Sequence, residues 1–440
     1  MNAFDLGPLA TFPIPRVNPL NPPPDYVGFR EEGLKKVTMW NGAPAWIVTR
    51  WDDIKTILNS PHVSPNPQKP GFPFLTPARE VTVKNYQTFI TMDPPEHTKF
   101  RRFLFNDFSQ ARINELQPRI AKLIEKLLDR MVEKGPPADL VEMLAIPLPV
   151  AVVSMLLGIP LEHGDNLVRW TNQQLDLAAP PEVSEAAGKQ MLDFFENFIM
   201  NLVEHPKPTT DILTRLVNEG IKPGVITVKD AKHMAHILYF AGADTTANQI
   251  GLGTLSFLLN RDQFDKLLER PDLLQNAVEE MIRFHSVAHF NACRVATADI
   301  TIRDQTIRAG EGIYALTLAG NRDPAIFPNP DAFDIERSNA RLHVTFGWGI
   351  HQCIGQQIVR MELGALYDTL FKRLPDMELA VPFETLEFKK LMMVHGLLGL
   401  PIKWNQEKAK AAIGSLIAPR SAPTRRSDIA PSDQRGTTRW

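Results

Sequence analysis

The sequence predicts a mainly α protein with a small β region, on three observations. Long segments carry apolar residues three and four positions apart, the spacing of one helix face. Alternating or continuous runs of β-forming residues are fewer and shorter. Thirty-seven prolines separate these segments, which makes the helices many and bounded.

In chain order, residues 1–24 form a Pro-rich N-terminal segment whose prolines and early Asp5 interrupt any apolar run before a signal peptide or anchor could form. "AWIVT" reads as a strand. "LQPRIAKLIEKLLDRMVEKG" and "AGKQMLDFFENFIMNLVEH" read as amphipathic helices, and "MELGALYDTLFKRL" as a third. "DITIRDQTIRAGEGI" supplies further short strands. No repeat and no composition shift divides residues 25–404, which are expected to form one domain. Residues 405–440 differ. They are rich in small and polar residues and carry seven Lys or Arg against three Asp or Glu, so a disordered basic tail is expected.

Composition excludes several classes. A formal net charge of -2 gives no general attraction to nucleic acid or to an anionic membrane. No run reaches the roughly twenty apolar residues of a membrane helix. Two cysteines, Cys293 and Cys353, cannot build a disulfide framework and point to a reducing compartment. A soluble, cytoplasmic protein is therefore expected.

The longest helix is predicted to start near Thr227, where Asp230 three residues on completes a capping box, and to run to about residue 260. At 1.5 Å per residue that is about 50 Å. Its centre, "AGADTT", breaks the rules of helix composition. Gly242, Asp244 and two β-branched threonines stand where good helix formers belong, and an interior Gly alone costs about 1 kcal/mol relative to Ala. Thr hydroxyls there can divert hydrogen bonds from the backbone. Such a conflict marks a candidate functional site.

"FGWGIHQCIGQQIVRMELG" sets Cys353 in a glycine-rich loop at the start of an amphipathic helix. Glycine is used where backbone must approach a group closely or adopt positive φ. A cysteine at a helix N-terminus has its thiolate favoured by the dipole and by free N–H groups. A thiolate is also what a haem iron needs as a strongly donating axial ligand.

The Phe-Gly-x-Gly-x-His-x-Cys-x-Gly pattern resembles the haem-binding loop of the cytochrome P-450 family, and the resemblance covers almost all of residues 25–404. It implies the family's triangular helical prism around a buried haem b, with Cys353 as the iron ligand and Phe346 and Gly347 against the cofactor. "EEMIR" is similar to the family's Glu-x-x-Arg, which implies a buried structural pair of Glu280 and Arg283 joined to "NRDPAIFPNPDAFDIER". "DPPEHTKFRRFL" resembles the helix beside the haem propionates, with His97 and Arg101 four apart on one face. Arg294 and His351 match two further propionate contacts. "AGADTT" resembles the oxygen-activating part of the family's long helix, with Asp244 as the acid and Thr245 as the alcohol. A hydroxyl beside a carboxylate can hold a relay water for the two protons that oxygen cleavage consumes.

The resemblance implies a monooxygenase that inserts one atom of O2 into a small, mainly apolar substrate. Family position puts substrate contacts in "GFPFL", "HSVAHFNA" and "LMMVHGLLG", and at Phe72, Phe74, Phe89, Ala241, His289, Phe290, Val394 and His395. With no Gly-x-Gly-x-x-Gly, no P-loop and no room for a reductase domain, electrons are expected from an external ferredoxin and its reductase. "NGAPAWIVTR", "GFPFL" and "DPPEHTKFRR" also resemble the family's soluble nitric-oxide-reducing branch, which takes electrons directly from NADH. Against it, "SPNPQKPGFP" offers the nucleotide only Lys69. A non-catalytic haem or ligand-binding protein is the third reading, and the acid and alcohol of "AGADTT" argue against that.

Overall fold

A computed structural model describes residues 10–288, 290 and 292–417. The helix-period segments become the helices Gln110–Lys134, Pro181–Glu204 and Gln356–Arg373; Pro181–Glu204 packs on the long helix Val228–Leu259, and the other two pack on each other. The long helix begins as its sequence requires. The Thr227 hydroxyl accepts from the Asp230 N–H at 3.1 Å, and the Asp230 carboxylate accepts the Thr227 N–H at 2.9 Å. Two of the four N–H groups left open at a helix start are satisfied this way.

The β region is small. "AWIVT" lies in the strand Pro44–Val48, which pairs antiparallel with Lys35–Thr38 and parallel with Gly312–Ala315. Cys293–Ala296 and Val63–Ser64 complete this five-stranded sheet, while Ile300–Ile302 and Gln305–Ile307 form a separate hairpin. The sheet places Arg294 beside the central helical layer.

One apolar core runs through most of the helices, with the long helix buried on nearly every face. A helix apolar all round belongs inside a protein, and this one forms the floor of the site.

Described elements lie beyond both ends of the expected domain. The N-terminal segment docks: Phe12 is buried, its N–H bonds Thr38 O at 3.0 Å, and Thr38 N–H bonds Ala10 O at 2.9 Å. Residue 404 is not where order ends, because the helix Gln406–Ile417 follows it. The Gln406 amide donates to Val132 O at 2.6 Å and accepts from the Trp404 indole, while Ala409 is small enough to bury against the core. Residues 1–9 and the rest of the expected tail, 418–440, lie outside the described residues. Among the described residues no helix is long and apolar enough to cross a membrane.

Candidate functional site

A cavity of about 310 Å³ lies between the long helix and the cysteine loop. Its walls carry Ala241, Gly242, Thr245, Thr246 and Gln249 from the long helix, and Phe346, Gly347, His351 and Cys353 from the loop.

The loop is shaped by glycines in positive φ. Gly349 has φ of +72°, and a Cβ there would sit 2.6 Å from Leu58 O, so no other residue fits. Gly347 has φ of +71° and faces open space, leaving the cavity wall flat beside Phe346. The Cys353 N–H bonds Phe346 O at 2.9 Å, closing the loop. Burial pushes the Cys353 thiol up, while the backbone N–H groups of Gly355 and Gln356 and the cations Arg101 and Arg360 favour the thiolate. A metal bound at this sulfur would remove the proton outright.

Arg101, Arg294 and His351 line the cavity, His97 packs against His351, and Asp93 is the acid that acts on His97 and Arg294. Arg101 donates to Gln352 O at 2.5 Å and Arg294 to Cys293 O at 2.7 Å. His97 is buried with neither ring nitrogen bonded, its ring 4.2 Å from that of His351, whose Nδ1 is also unbonded. Burial, with Arg294, His97 and Arg101 nearby, pulls His351 down to about 2. Burial, with Arg101 nearby, also lowers His97. Buried cations and orphaned ring N–H groups are costly unless something anionic satisfies them. Two propionates beside a thiolate ligand fit this donor set. Haem b is the group these residues suit: Cys353 for the iron, and His97, Arg101, Arg294 and His351 for the carboxylates.

Glu280 and Arg283 lie behind the cavity, both fully buried, with two bonds of 2.7 and 2.8 Å. Arg283 also donates to the carbonyls of Asn321, Pro330 and Ala332. Arg337, the end of "NRDPAIFPNPDAFDIER", joins the same carboxylate at 3.1 Å. Neighbouring Glu279 binds His343 at 3.0 Å and Arg360 at 2.8 Å. Burial opposes its ionisation, but these partners overcome it and pull Glu279 down to about 2. Arg360 stacks over the Phe346 ring at 4.7 Å, which ties this network to the cysteine loop.

Asp244 and Thr245, neighbours in the chain, open to different cavities. The Thr245 hydroxyl lines the main cavity and donates to Ala241 O at 2.7 Å. The Asp244 carboxylate lines a second cavity, of about 140 Å³, on another face of the long helix. There it accepts from Lys389 Nζ at 2.7 Å and from Asn248 Nδ2 at 2.9 Å. No short-range pattern in the sequence pointed to Lys389, which comes from 145 residues away.

The expected substrate contacts divide. Phe89 and Ala241 line the main cavity. Phe72 and Phe74 pack instead with Val295 in a separate cluster, because the strand Cys293–Ala296 turns that side chain toward them. Phe290 stacks edge-on against Phe12, drawn off by the docked N-terminal segment. His395 bonds Pro19 O at 2.6 Å and stacks on Phe388, and Val394 is in the core. His289 lies outside the described residues. The walls the sequence did not reveal are Val152, Val153 and Leu156 of the helix Pro147–Leu157, with Ile237 and Leu238.

A sequence profile described as Cytochrome P450 matches residues 259–377. The chain is 38% identical over 387 residues to cytochrome P450-SU2 of Streptomyces griseolus, covering 88% of this chain and 94% of that one. It is 37% identical over 396 residues to pentalenic acid synthase of Streptomyces avermitilis, covering 89% and 97%. The crystal structure of mycinamicin VIII C21 methyl hydroxylase from Micromonospora griseorubida, bound to mycinamicin VIII, superposes with a TM-score of 0.86 at 32% identity, covering 90% of this chain and all of that one.

Proposed function

Because the chain belongs to the cytochrome P450 family, whose members bind haem b and act as monooxygenases, we propose that it hydroxylates a mainly apolar organic substrate with electrons from an external ferredoxin and reductase. The observation that carries this reading is the composition of the main cavity. Apart from Arg101, Arg294, His351 and Glu362, its walls carry no acidic or basic side chain, and Val152, Val153, Leu156, Ile237 and Leu238 contribute a largely apolar lining. Such a surface excludes water and gains free energy by burying hydrocarbon, about 25 cal/mol per Å². The relative bound to mycinamicin VIII is named a methyl hydroxylase, which agrees with an aliphatic target.

Haem b supplies the iron at which dioxygen is reduced and one of its atoms is made reactive toward a C–H bond. The chain does the rest. Cys353 Sγ would hold the iron as a thiolate, a charge that its backbone and cationic neighbours favour. Arg101 and Arg294, with the imidazoles of His97 and His351, would anchor and orient the cofactor by its carboxylates. The Thr245 hydroxyl gives its proton to Ala241 O, so its lone pairs are left to accept from a water in the cavity. Asp244 holds and passes protons arriving from the second cavity, with Lys389 setting whether its carboxylate is tethered or free. Lys69, the single cation of "SPNPQKPGFP", stands 3.7 Å from Asp93, which leaves that loop a poor receiver for an NADH phosphate.

The test is an optical titration of haem-loaded protein with a library of apolar compounds, followed by turnover with a surrogate ferredoxin, its reductase and NADH. A compound that shifts the haem spectrum and is recovered with one added oxygen establishes the reading. NADH oxidation with nitric oxide and no protein partner would replace it.

A further inference from the structure

Arg360 lies on the helix Gln356–Arg373 that follows Cys353, and its guanidinium is held on three sides. Its Nε and Nη2 donate to the two carboxylate oxygens of Glu279 at 2.8 and 3.1 Å. Its Nη1 donates to the backbone carbonyl and the side-chain Oε1 of Gln356 at 3.3 and 3.1 Å. The Phe346 ring stacks against it, with the centroid 4.7 Å away. Glu279, on the helix Leu274–His285, is fixed in turn by His343. The Thr345 N–H donates to His343 Nδ1 at 3.3 Å, which leaves Nε2–H to donate to Glu279 at 3.0 Å, so this imidazole adds no charge. Arg341 also reaches Glu279, at 3.3 Å, but stands largely in solvent. The side chains of Glu279 and Arg360 are 7% and 15% exposed, so their charges are weakly screened. A pair buried to this degree is weak evidence of stability, because hydrocarbon side chains of similar volume would hold the two helices as well. Its other contacts lead to the cysteine loop. The Gln356 N–H and the Arg360 charge both favour the Cys353 thiolate, and Phe346 O accepts the Cys353 N–H at 2.9 Å.

We propose that Arg360 is a positioning residue for the axial ligand: its guanidinium, held by Glu279 and laid against Phe346, draws charge from the Cys353 sulfur and so helps to set the reduction potential of bound haem. This inference rests on the haem-thiolate reading of Cys353. The step concerned is the transfer of one electron from reduced ferredoxin to ferric iron, which gives oxidised ferredoxin and ferrous iron. No bond breaks and no proton moves at Arg360 or Glu279. The site becomes one unit more negative, so a fixed cation favours the reduced form and a fixed anion opposes it. Net charge and hydrogen bonding around the ligand are the protein's levers on such a potential. Glu279 therefore opposes Arg360 in charge while holding it in place. Removing one or the other should move the potential in opposite directions, which a purely structural tie between helix and loop would not do.

Two readouts test this, and neither needs the substrate or turnover. The first is an optical redox titration of haem-loaded protein equilibrated with mediator dyes. Arg360→Met is expected to favour the ferric form about tenfold, a shift of about 59 mV to lower potential for one electron. Arg360→Lys keeps a charge without the planar fork and is expected to fall between Arg360→Met and the wild type. Glu279→Gln is expected to raise the potential. The second readout is the carbon–oxygen stretch of the ferrous carbon monoxide complex. A more strongly donating sulfur passes more electron density to the bound gas and lowers the stretch, so Arg360→Met should lower it and Glu279→Gln should raise it. Unchanged potentials, or shifts of the same sign in Arg360→Met and Glu279→Gln, overturn the proposal and leave the pair a structural tie. Where Arg360→Met fails to retain haem, Arg360→Lys and Glu279→Gln decide by the same opposed signs. A wild type with the red-shifted carbon monoxide band whose variants lack opposed shifts sinks this inference alone, whereas a wild type without that band sinks the haem-thiolate reading itself.

Discussion

Lys389 Nζ lies 2.7 Å from Asp244 Oδ1, an ion pair across 145 residues of chain in which both side chains are largely buried. Removing one partner strands the other charge. Lys389→Met should therefore lower stability by about 3 kcal/mol, the low end for breaking a buried pair. The double variant Lys389→Met/Asp244→Asn should recover much of it, and urea unfolding of all four proteins in a double-mutant cycle measures the coupling. Strictly additive losses would show that the pair is not a unit.

Thr245 and Asp244 are separable experimentally because they face different cavities. Thr245→Ala should keep haem, the thiolate spectrum and substrate binding while NADH oxidation continues with more peroxide and less hydroxylated product. Asp244→Asn should chiefly slow turnover, by roughly 10²-fold or more. Wild-type product yield and rate in both would place proton delivery elsewhere.

The thiolate assignment has a direct spectral check. Ferrous protein with carbon monoxide should show the red-shifted band of thiolate ligation, lost in Cys353→His and kept in Cys293→Ser. Loss of the band on changing Cys293, which packs against Phe72 and Phe74, would reverse the assignment.

Haem retention should depend on the guanidinium groups of Arg101 and Arg294 at the cavity wall. Arg101→Leu and Arg294→Leu each remove a charge-assisted donor worth about 1.5–3 kcal/mol. Haem transfer to a high-affinity scavenger protein should be favoured about 10-fold or more in either variant. Unchanged transfer would mean that the cofactor's carboxylates lie elsewhere.

Acid stability should report the buried histidines. Burial, with His233 and Arg79 nearby, pulls His236 down to about 3. Its folded value is below its unfolded one, so below about pH 6.5 the unfolded chain binds the proton first and stability falls as pH drops toward 3. The slope for one such group is about 1.4 kcal/mol per pH unit. His236→Gln, which can still bond Gln174, should flatten the dependence of urea midpoints between about pH 6 and pH 4 by close to one proton. An unaltered slope would contradict the buried neutral imidazole.

The sequence by itself determined the helices, the family and the shape of the cysteine loop. Those signals are local: a repeat of three and four apolar positions, a capping box at Thr227, and glycines where Gly347 and Gly349 need positive φ. Tertiary structure decided which face each side chain occupies and what long-range partner it meets. Asp244 and Thr245 are neighbours in the chain, yet the elements packed around the long helix leave them in different cavities, and only the fold brings Lys389 to the acid. Packing likewise withdrew Phe72, Phe74, Phe290 and His395 from the cavity, because Val295, Phe12 and Pro19 reach them from distant segments. Contacts of that kind depend on chain closure over tens to hundreds of residues, and no short stretch of sequence encodes them.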